Sequence, residues 1–376
     1  MPGEEKFYDV PVVMFVYKRP DLTRKSFEAI RHIRPSKLYI VCDGPKTKKD
    51  EAAVKEVRDF LDTAVDWPCE VHRDYAARNM GLRYRIPSGI KHVFETEDRA
   101  VFVEDDIEGS DEFFRFCREM LEHYKDDEQV MMVAGTNILP DHPTFGDYDI
   151  CFSCFSHIWG WASWKRAWET YDTNMLSWPK LRKDRTLEKN VFNKKGYAFY
   201  KWIFDDLQYQ WYNSWGYIWL YHMLSHGGMG IVPKKNLVNN IGMGNADGEH
   251  PDENDERVDY VSSLPKGVMS DEYRLPPEIV RNTVFDEEFQ DKYVLPGLKP
   301  LEAAKRSVRT YLNHKAFLTV CEMEKDAEYF NKYIPDEKKL SPEEIKWNDG
   351  EKYRQIDGKT MRRDAAAYRK YKKKQK

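Results

Sequence analysis

The first 135 residues alternate between short apolar runs and amphipathic stretches. "PVVMFVY" (Pro11 to Tyr17) is a continuous run rich in β-branched and aromatic residues, the pattern of a strand covered on both faces. "RPDLT" then reads as a turn into a helix over Arg24–Ile33, with Asp21 or Thr23 available as its cap. "KLYIVCDGP" repeats the strand signal and stops at a turn, and from Asp50 to Ala64 the residues Val54, Val57, Phe60 and Leu61 share one helical face. "PCEVHR" and "RAVFVEDD" are the third and fourth strand candidates, with a helix over Ser88–Glu95 between them. Asp111–Tyr124 carries the clearest helical period, through Phe113, Phe114, Cys117, Met120, Leu121 and Tyr124. Ser110 is placed to cap it, with Asp111 and Glu112 in the first turn where the helix dipole favours anions. "VMMVAG" is a fifth strand.

Strands alternating with helices at this spacing predict an α/β fold, a mostly parallel sheet with helices on both faces. Ligands of such sheets bind beyond the carboxyl ends of the strands. The polar residues collect there: Tyr17, Lys18 and Arg19 after the first strand, Asp43 after the second, and Glu104, Asp105 and Asp106 after the fourth. In "VFVEDDIEG" three adjacent carboxylates repel one another and cost energy to desolvate. A solvated acidic turn is one reading. The other is a hard divalent cation, Mn²⁺ or Mg²⁺, which takes one or two protein carboxylates together with phosphate oxygens and water.

From Cys151 the pattern changes to "CFSCFSHIWGWASWKRAWETYD", with Trp159, Trp161, Trp164 and Trp168. Such a segment suits either a packed core edge or a wall on which sugar rings stack. Residues 175 to 226 read as helical with loops, "GGMGIVPKKNLVNNIGMGNADGEH" as a strand, a turn and a Gly-rich loop ending in His250, and Pro251 to Pro277 as irregular. Helical stretches follow near Leu301–Tyr311 and Ala316–Phe330.

Charge and cysteine content narrow the classes. The net charge is −4, yet from Glu351 onward 11 Lys/Arg stand against 3 Asp/Glu, a local +8 that leaves about −12 for the rest. Basic charge confined to a tail, with no recognised module beside it, argues against nucleic-acid binding. The tail suits a solvated end or a contact with an anionic membrane. Six scattered cysteines read as reduced thiols of a cytoplasmic protein, and Cys151 with Cys154 has no second pair at zinc spacing. "MPGEEKFYDV" lacks a signal-peptide core, and no run approaches the roughly 20 apolar residues of a membrane span.

Six segments come in a set order: "VMFVYKRPDLTRKSF", "IVCDGPK", "NMGLRYRIPSGIKHVFE", "AVFVEDDIEGSDEFFRFCREML", "HIWGWASWKRAWETYD" and "GIVPKKNLVNNIGMGNADGEH". Together they resemble the GT-A (Rossmann-like) glycosyltransferases, in particular a bacterial and viral group similar to N-acetylglucosaminyltransferase I and labelled HlpA-like. The resemblance runs from about Val10 to His250. It implies a GT-A domain over 1–255, with a donor half at about 10–140 and an acceptor half at about 141–255. Residues 256–376 then form an irregular and mainly helical extension.

The resemblance also implies a nucleotide-sugar donor, UDP-linked in most relatives, a divalent metal, and an acceptor hydroxyl on a glycan or lipid-linked glycan. By match to the acidic motif, Asp106 would ligate the metal, while Glu104 and Asp105 would meet the ribose or sugar. Tyr17 and Arg19 match the strand-end site for the base, and Asp43 matches an acid that pairs with base or ribose. Asn79 and Arg83 in "NMGLR" match a segment closing over the diphosphate or sugar, where the planar fork of Arg suits phosphate oxygens. His250 matches a late-chain metal ligand, against the reading of a surface or structural histidine. Trp159 and Trp161 are the candidate acceptor contacts.

An inverting enzyme needs a carboxylate to deprotonate the acceptor. Relatives carry "WDYQW" before the "IVP" strand, whereas this chain reads "WGYIW", with Gly216 in place of the acid. Asp205 and Asp206 in "FDDLQYQW" are the nearest substitutes, equally readable as ordinary surface acids. Three functions stay open: a metal-dependent, inverting glycosyltransferase; a nucleotide-sugar hydrolase or nucleotidyltransferase; and a non-catalytic nucleotide-sugar-binding module.

Overall fold

The structure is a computed structural model that describes residues 7–189, 191, 194–208, 213–243, 256–295 and 358–375, with scattered positions between 305 and 319. The chain forms two compact units, Met1–Thr173 with Ser214–Val294, and Asn174–Asn213 with Leu295–Lys376.

The first unit is built by strand–helix alternation: β1 (Val12–Val16), α1 (Pro20–Ile33), β2 (Lys37–Cys42), α2 (Glu51–Thr63), β3 (Glu70–Tyr75), α3 (Leu82–Val93), β4 (Arg99–Glu104), β5 (Ile107–Gly109), α4 (Asp111–His123) and β6 (Val130–Ala134). β7 (Ile150–Ser153), β8 (Trp161–Trp164), α5 (Lys165–Trp168), α8 (Gly216–His226), β9 (Met229–Pro233) and β10 (Val238–Asn240) follow, then α9 (Glu256–Ser262) and α10 (Thr283–Phe289). Eight strands make one sheet in the order β3-β2-β1-β4-β8-β6-β9-β7, and β5 pairs with β10 in a small second sheet. β3, β2, β1 and β4 run parallel, as do β6 and β9, while β8 and β7 run against their neighbours. The result is a mostly parallel, Rossmann-like sheet with helices on both faces.

Strand alternation decides which helix lies on which face. Val12, Met14, Val16, Leu38, Ile40, Val101 and Val103 point into a core with Phe27 and Ile30 of α1, Val57 and Leu61 of α2, and Phe113 and Cys117 of α4. Val13, Phe15, Tyr39, Val41, Ala100 and Phe102 point the other way, onto Ile86, Ile90 and Val93 of α3 and onto Trp168, Trp219 and Met223. Because both faces are covered, the central strands β1, β2 and β4 read as largely unbroken apolar runs. Burying each large apolar side chain fully contributes about 1.5–3 kcal/mol.

A helix, α9, stands at Glu256–Ser262 in the stretch read as irregular, and two helix starts differ from the sequence reading. Helix α1 begins at Pro20 rather than Arg24, since proline suits the first helical position where its missing N–H is no loss. Helix α3 begins at Leu82 and runs through Pro87, six residues before the Ser88 start expected. It starts there because Gly81, at φ 76°, turns the chain while its N–H is held by a carboxylate. Ser110 caps α4 as expected, its Oγ accepting from the Phe113 N–H at 3.2 Å.

The second unit contains α6 (Trp178–Lys183) and α7 (Lys194–Gln208), and the basic tail forms a helix over Gly358–Gln375. Among the described residues no helix is long and apolar enough to cross a membrane.

Candidate functional site

β1 feeds α1 and then β2 on one side, and the chain returns through α3 to place β4 on the other side of β1. The gap beyond the carboxyl ends of β1 and β4 is therefore the switch point of the sheet, the place where such folds open a crevice for ligands. The two strand ends are in register there, Phe15 opposite Glu104.

The acidic turn and the first strand end meet directly. Arg19, at the N-cap of α1, donates from Nε to Asp105 Oδ2 at 3.3 Å, from Nη1 to Asp106 Oδ2 at 3.0 Å, and from Nη2 to Asp105 Oδ1. The Tyr17 N–H also donates to Asp105 Oδ2, at 3.4 Å. The Asp105 side chain is 4% exposed, Asp106 17% and Arg19 21%. Burial pushes the Asp105 carboxyl up to about 6, with the Arg19 charge pulling it back down. For Arg19 burial pulls downward, but Asp105, Asp106 and Glu104 together hold it above its ordinary value, so the guanidinium stays charged. Like charges placed side by side are thus tolerated because a guanidinium fork bridges two of them.

Further contacts fix the turn. Ser26 Oγ on α1 donates to the Asp105 carbonyl at 2.9 Å, and the Ile241 N–H donates to the Asp106 carbonyl at 2.8 Å. Gly242 lies so close that a Cβ there would stand 2.5 Å from Asp106 Oδ2. The loop after β10 therefore packs its backbone on the Asp106 carboxylate, which any side chain at 242 would push aside. Ser26 escaped sequence reasoning, and its one signal is a small polar residue inside the apolar stripe of α1, next to Phe27 and Ile30.

Asp43 has a different occupation. Its carboxylate accepts from the N–H of Gly44 and Met80, both at 2.8 Å, from the N–H of Gly81 at 2.9 Å, and from Asn79 Nδ2 at 2.9 Å. The acid expected to meet a base or ribose accepts four donors from its own chain, and it anchors the "NMG" loop that starts α3. Asn79 is drawn into the same clamp and donates also to the Gly44 carbonyl at 3.1 Å. Arg83 is buried and donates to the Thr173 carbonyl at 2.8 Å. The Tyr17 hydroxyl accepts from the Lys46 N–H at 3.2 Å, and Lys18 pairs with Asp50 at 2.7 Å.

The two tryptophans divide. Trp161 is buried on β8, with ring centroids 4.5 Å from Phe102, 5.5 Å from Trp215, 6.1 Å from Trp219 and 6.2 Å from Trp168. It is a core residue of the sheet's second face. Trp159 is only partly buried and meets Tyr293 edge-on at 6.1 Å. Gly216, the first residue of α8, is buried against Ile158, whose Cδ1 would stand 2.4 Å from a Cβ there. The position where the resemblance would place an acid is lined by the end of the Ile158 side chain.

Asp205 and Asp206 belong to the second unit. Asp205 accepts from Trp178 Nε1 at 2.9 Å and from Arg182 Nε at 2.7 Å, so α6 engages it, and Asp206 is buried on the same helix, α7. His250 lies outside the described residues. The described cysteines are free thiols, and burial holds those of Cys151 and Cys154 well above their ordinary range.

Among the described residues no group of three or more His, Cys, Asp and Glu side chains is arranged to hold a metal ion. A single carboxylate fits Mg²⁺ or Mn²⁺ when substrate phosphates and water complete the shell. Asp106 meets that need: it is partly exposed, its backbone is pinned, and it has one oxygen not engaged by Arg19 among the described residues. Asp105 does not, since both its oxygens accept from neighbours inside the fold.

No protein-family model matches the chain, and no curated protein does. Solved structures give distant likenesses. A mannosyltransferase from Pyrobaculum calidifontis, in complex with GDP-Man and Mn²⁺, is 12% identical over 43% of this chain and 46% of its own length, with a TM-score of 0.29. A 4-diphosphocytidyl-2C-methyl-D-erythritol synthase from Anaerococcus prevotii is 10% identical over 51% of this chain and 84% of its own, with a TM-score of 0.25. The chain thus spans less than half of the mannosyltransferase. At these scores neither likeness bears on the chemistry.

Proposed function

We propose that the chain is a divalent-metal-dependent glycosyltransferase. It takes a sugar from a nucleotide-sugar, UDP-linked by the resemblance, and passes it with inversion to a hydroxyl of a glycan or lipid-linked glycan. The observation that supports this is the meeting of Arg19, Asp105, Asp106 and the Gly242 loop at the switch point between β1 and β4. Asp106 would hold Mn²⁺ or Mg²⁺, joined by His250 on the resemblance alone, and the bound ion would offset charge on the leaving diphosphate. Glu104, half-buried at the end of β4, faces the ribose or sugar in this reading. Asp43 and Asn79 act one step back, by fixing the loop that leads to Arg83.

A second reading is favoured by Gly216. An acid there would have to displace Ile158, so a non-catalytic nucleotide-sugar-binding module fits the acceptor side as the acid motif fits the donor side. The basic helix Gly358–Gln375 extends the proposal to peripheral contact with an anionic membrane, at about 1 kcal/mol per Lys or Arg near the surface.

A thermal-shift series over nucleotide-sugars, with and without Mn²⁺, tests the donor side. A ligand at a hundred times its Kd stabilises the fold by about 2.7 kcal/mol. Asp106→Ala should erase the metal-dependent part of that shift and abolish transfer. Full activity with metal-independent nucleotide binding in Asp106→Ala would refute the proposal. Products then separate the classes: glycosylated acceptor and nucleoside diphosphate mark a transferase, free sugar a hydrolase, and nucleotide-sugar with pyrophosphate a nucleotidyltransferase. Binding without turnover marks the module.

A further inference from the structure

The acidic turn already has a cation. We propose that Arg19 is its resident counter-ion, and that a divalent cation at Asp106 competes with the Arg19 Nη1 contact while the guanidinium stays anchored on Asp105. This inference rests on the reading of Asp106 as the metal-holding residue.

The three guanidinium contacts are unequal. Those to Asp105 lie on a side chain that is 4% exposed and whose oxygens take no donors beyond Arg19 and the Tyr17 N–H among the described residues. Removing the guanidinium from Asp105 would strand a buried charge, so that half of the fork is fixed. The contact to Asp106 lies on a side chain with 17% exposure, at the open edge of the sheet, and it is a single bond of 3.0 Å. It can break without leaving a buried group unpaired.

Asp106 itself has little room to retreat. Its carbonyl is held by the Ile241 N–H, and the Gly242 backbone presses on its carboxylate. Nor can the Arg19 backbone follow a displaced head, because Pro20 locks the next φ and α1 begins there. Arginine does not lose its proton in proteins, so it leaves a metal site by moving and not by neutralising. What gives way is the Arg19 side chain, whose planar fork tilts as one unit about its Asp105 contacts and so lengthens the Nη1 contact to Asp106.

Two consequences follow. The free chain binds Mn²⁺ weakly, because the ion meets a cation a few ångströms away in place of two bare carboxylates. A phosphate anion that pairs with the released Nη1 would draw it from Asp106, so metal and anion would assist each other's binding by the same factor.

The test is Mn²⁺ binding to the nucleotide-free full chain, followed by the electron paramagnetic resonance signal of the free ion, for wild type, Arg19→Gln and Arg19→Gln/Asp106→Asn. Arg19→Gln should bind Mn²⁺ about tenfold or more tightly than wild type once the neighbouring charge is gone. The added Asp106→Asn change should abolish the gain. If Arg19→Gln does not fold because Asp105 is stranded, Arg19→Gln/Asp105→Asn removes both buried charges, keeps Asp106, and should show the same gain. Equal Mn²⁺ affinity with and without Arg19, or a gain that survives Asp106→Asn, overturns the proposal. Because no nucleotide is present, absence of nucleotide-sugar binding would sink the proposed function while leaving the Arg19 comparison readable.

Discussion

Replacing Asp43 by Asn separates a structural acid from a ligand-binding one. The carboxylate accepts four hydrogen bonds, from three backbone N–H groups and the Asn79 amide, within a buried pocket. Asparagine keeps the shape, retains one acceptor oxygen, and turns an N–H₂ toward donors. A hydrogen bond to a charged acceptor contributes about 1.5–3 kcal/mol, and an unsatisfied buried donor costs about 1–3 kcal/mol. Two lost bonds that share one anchor are not additive, so the local cost should be about 3 kcal/mol. The readout is hydrogen exchange of residues 76–84 in the ligand-free chain, compared between wild type and Asp43→Asn. Protection of the Met80 and Gly81 amides should fall roughly a hundredfold, since 1.4 kcal/mol is tenfold in an opening equilibrium. Unchanged protection there, with loss appearing only in nucleotide binding, would refute the clamp and return Asp43 to the donor.

Three further outcomes follow from the same geometry. Gly216→Asp should destabilise by about 1–3 kcal/mol through overpacking against Ile158, and Ile158→Ala in the same chain should recover part of that loss in denaturant melts. Trp161→Ala should cost about 3–5 kcal/mol as a core truncation, whereas Trp159→Ala, partly exposed, should cost far less; equal costs would contradict the division between them. His157 and His222 are held by burial at about 4, below the usual 6.5, so they stay neutral in the fold. Below pH 6.5 the unfolded chain takes up protons that the fold refuses, so stability falls as pH drops from about 6.5 to about 4, by up to about 3 kcal/mol per histidine. A His157→Gln/His222→Gln chain should show a shallower decline between pH 7 and pH 5 in denaturant midpoints.

The sequence by itself determined the strand–helix alternation up to β6 and the binding edge of this fold. Runs such as Pro11–Tyr17 and Ala100–Val103 are apolar on both faces, which only a sheet covered twice can use, and chain polarity then puts Arg19, Asp43 and Asp106 at one edge. Ser110 and the stripe of α4 were equally legible, because capping and helical period are local.

Tertiary structure decided what each edge residue does. Asp43 and Asp105 look alike as strand-end acids. One accepts three N–H donors from a loop near residue 80 and a fourth from Gly44 beside it, and the other accepts an arginine fork from residue 19. Nor could the pattern show that β8 would enter the sheet antiparallel between β4 and β6, carrying Trp161 into the core. Those outcomes depend on contacts between residues tens of positions apart, up to 86 for Arg19 and Asp105. A hydrogen-bond partner is chosen by which groups burial brings within 3 Å, and one-dimensional periodicity carries no record of that choice.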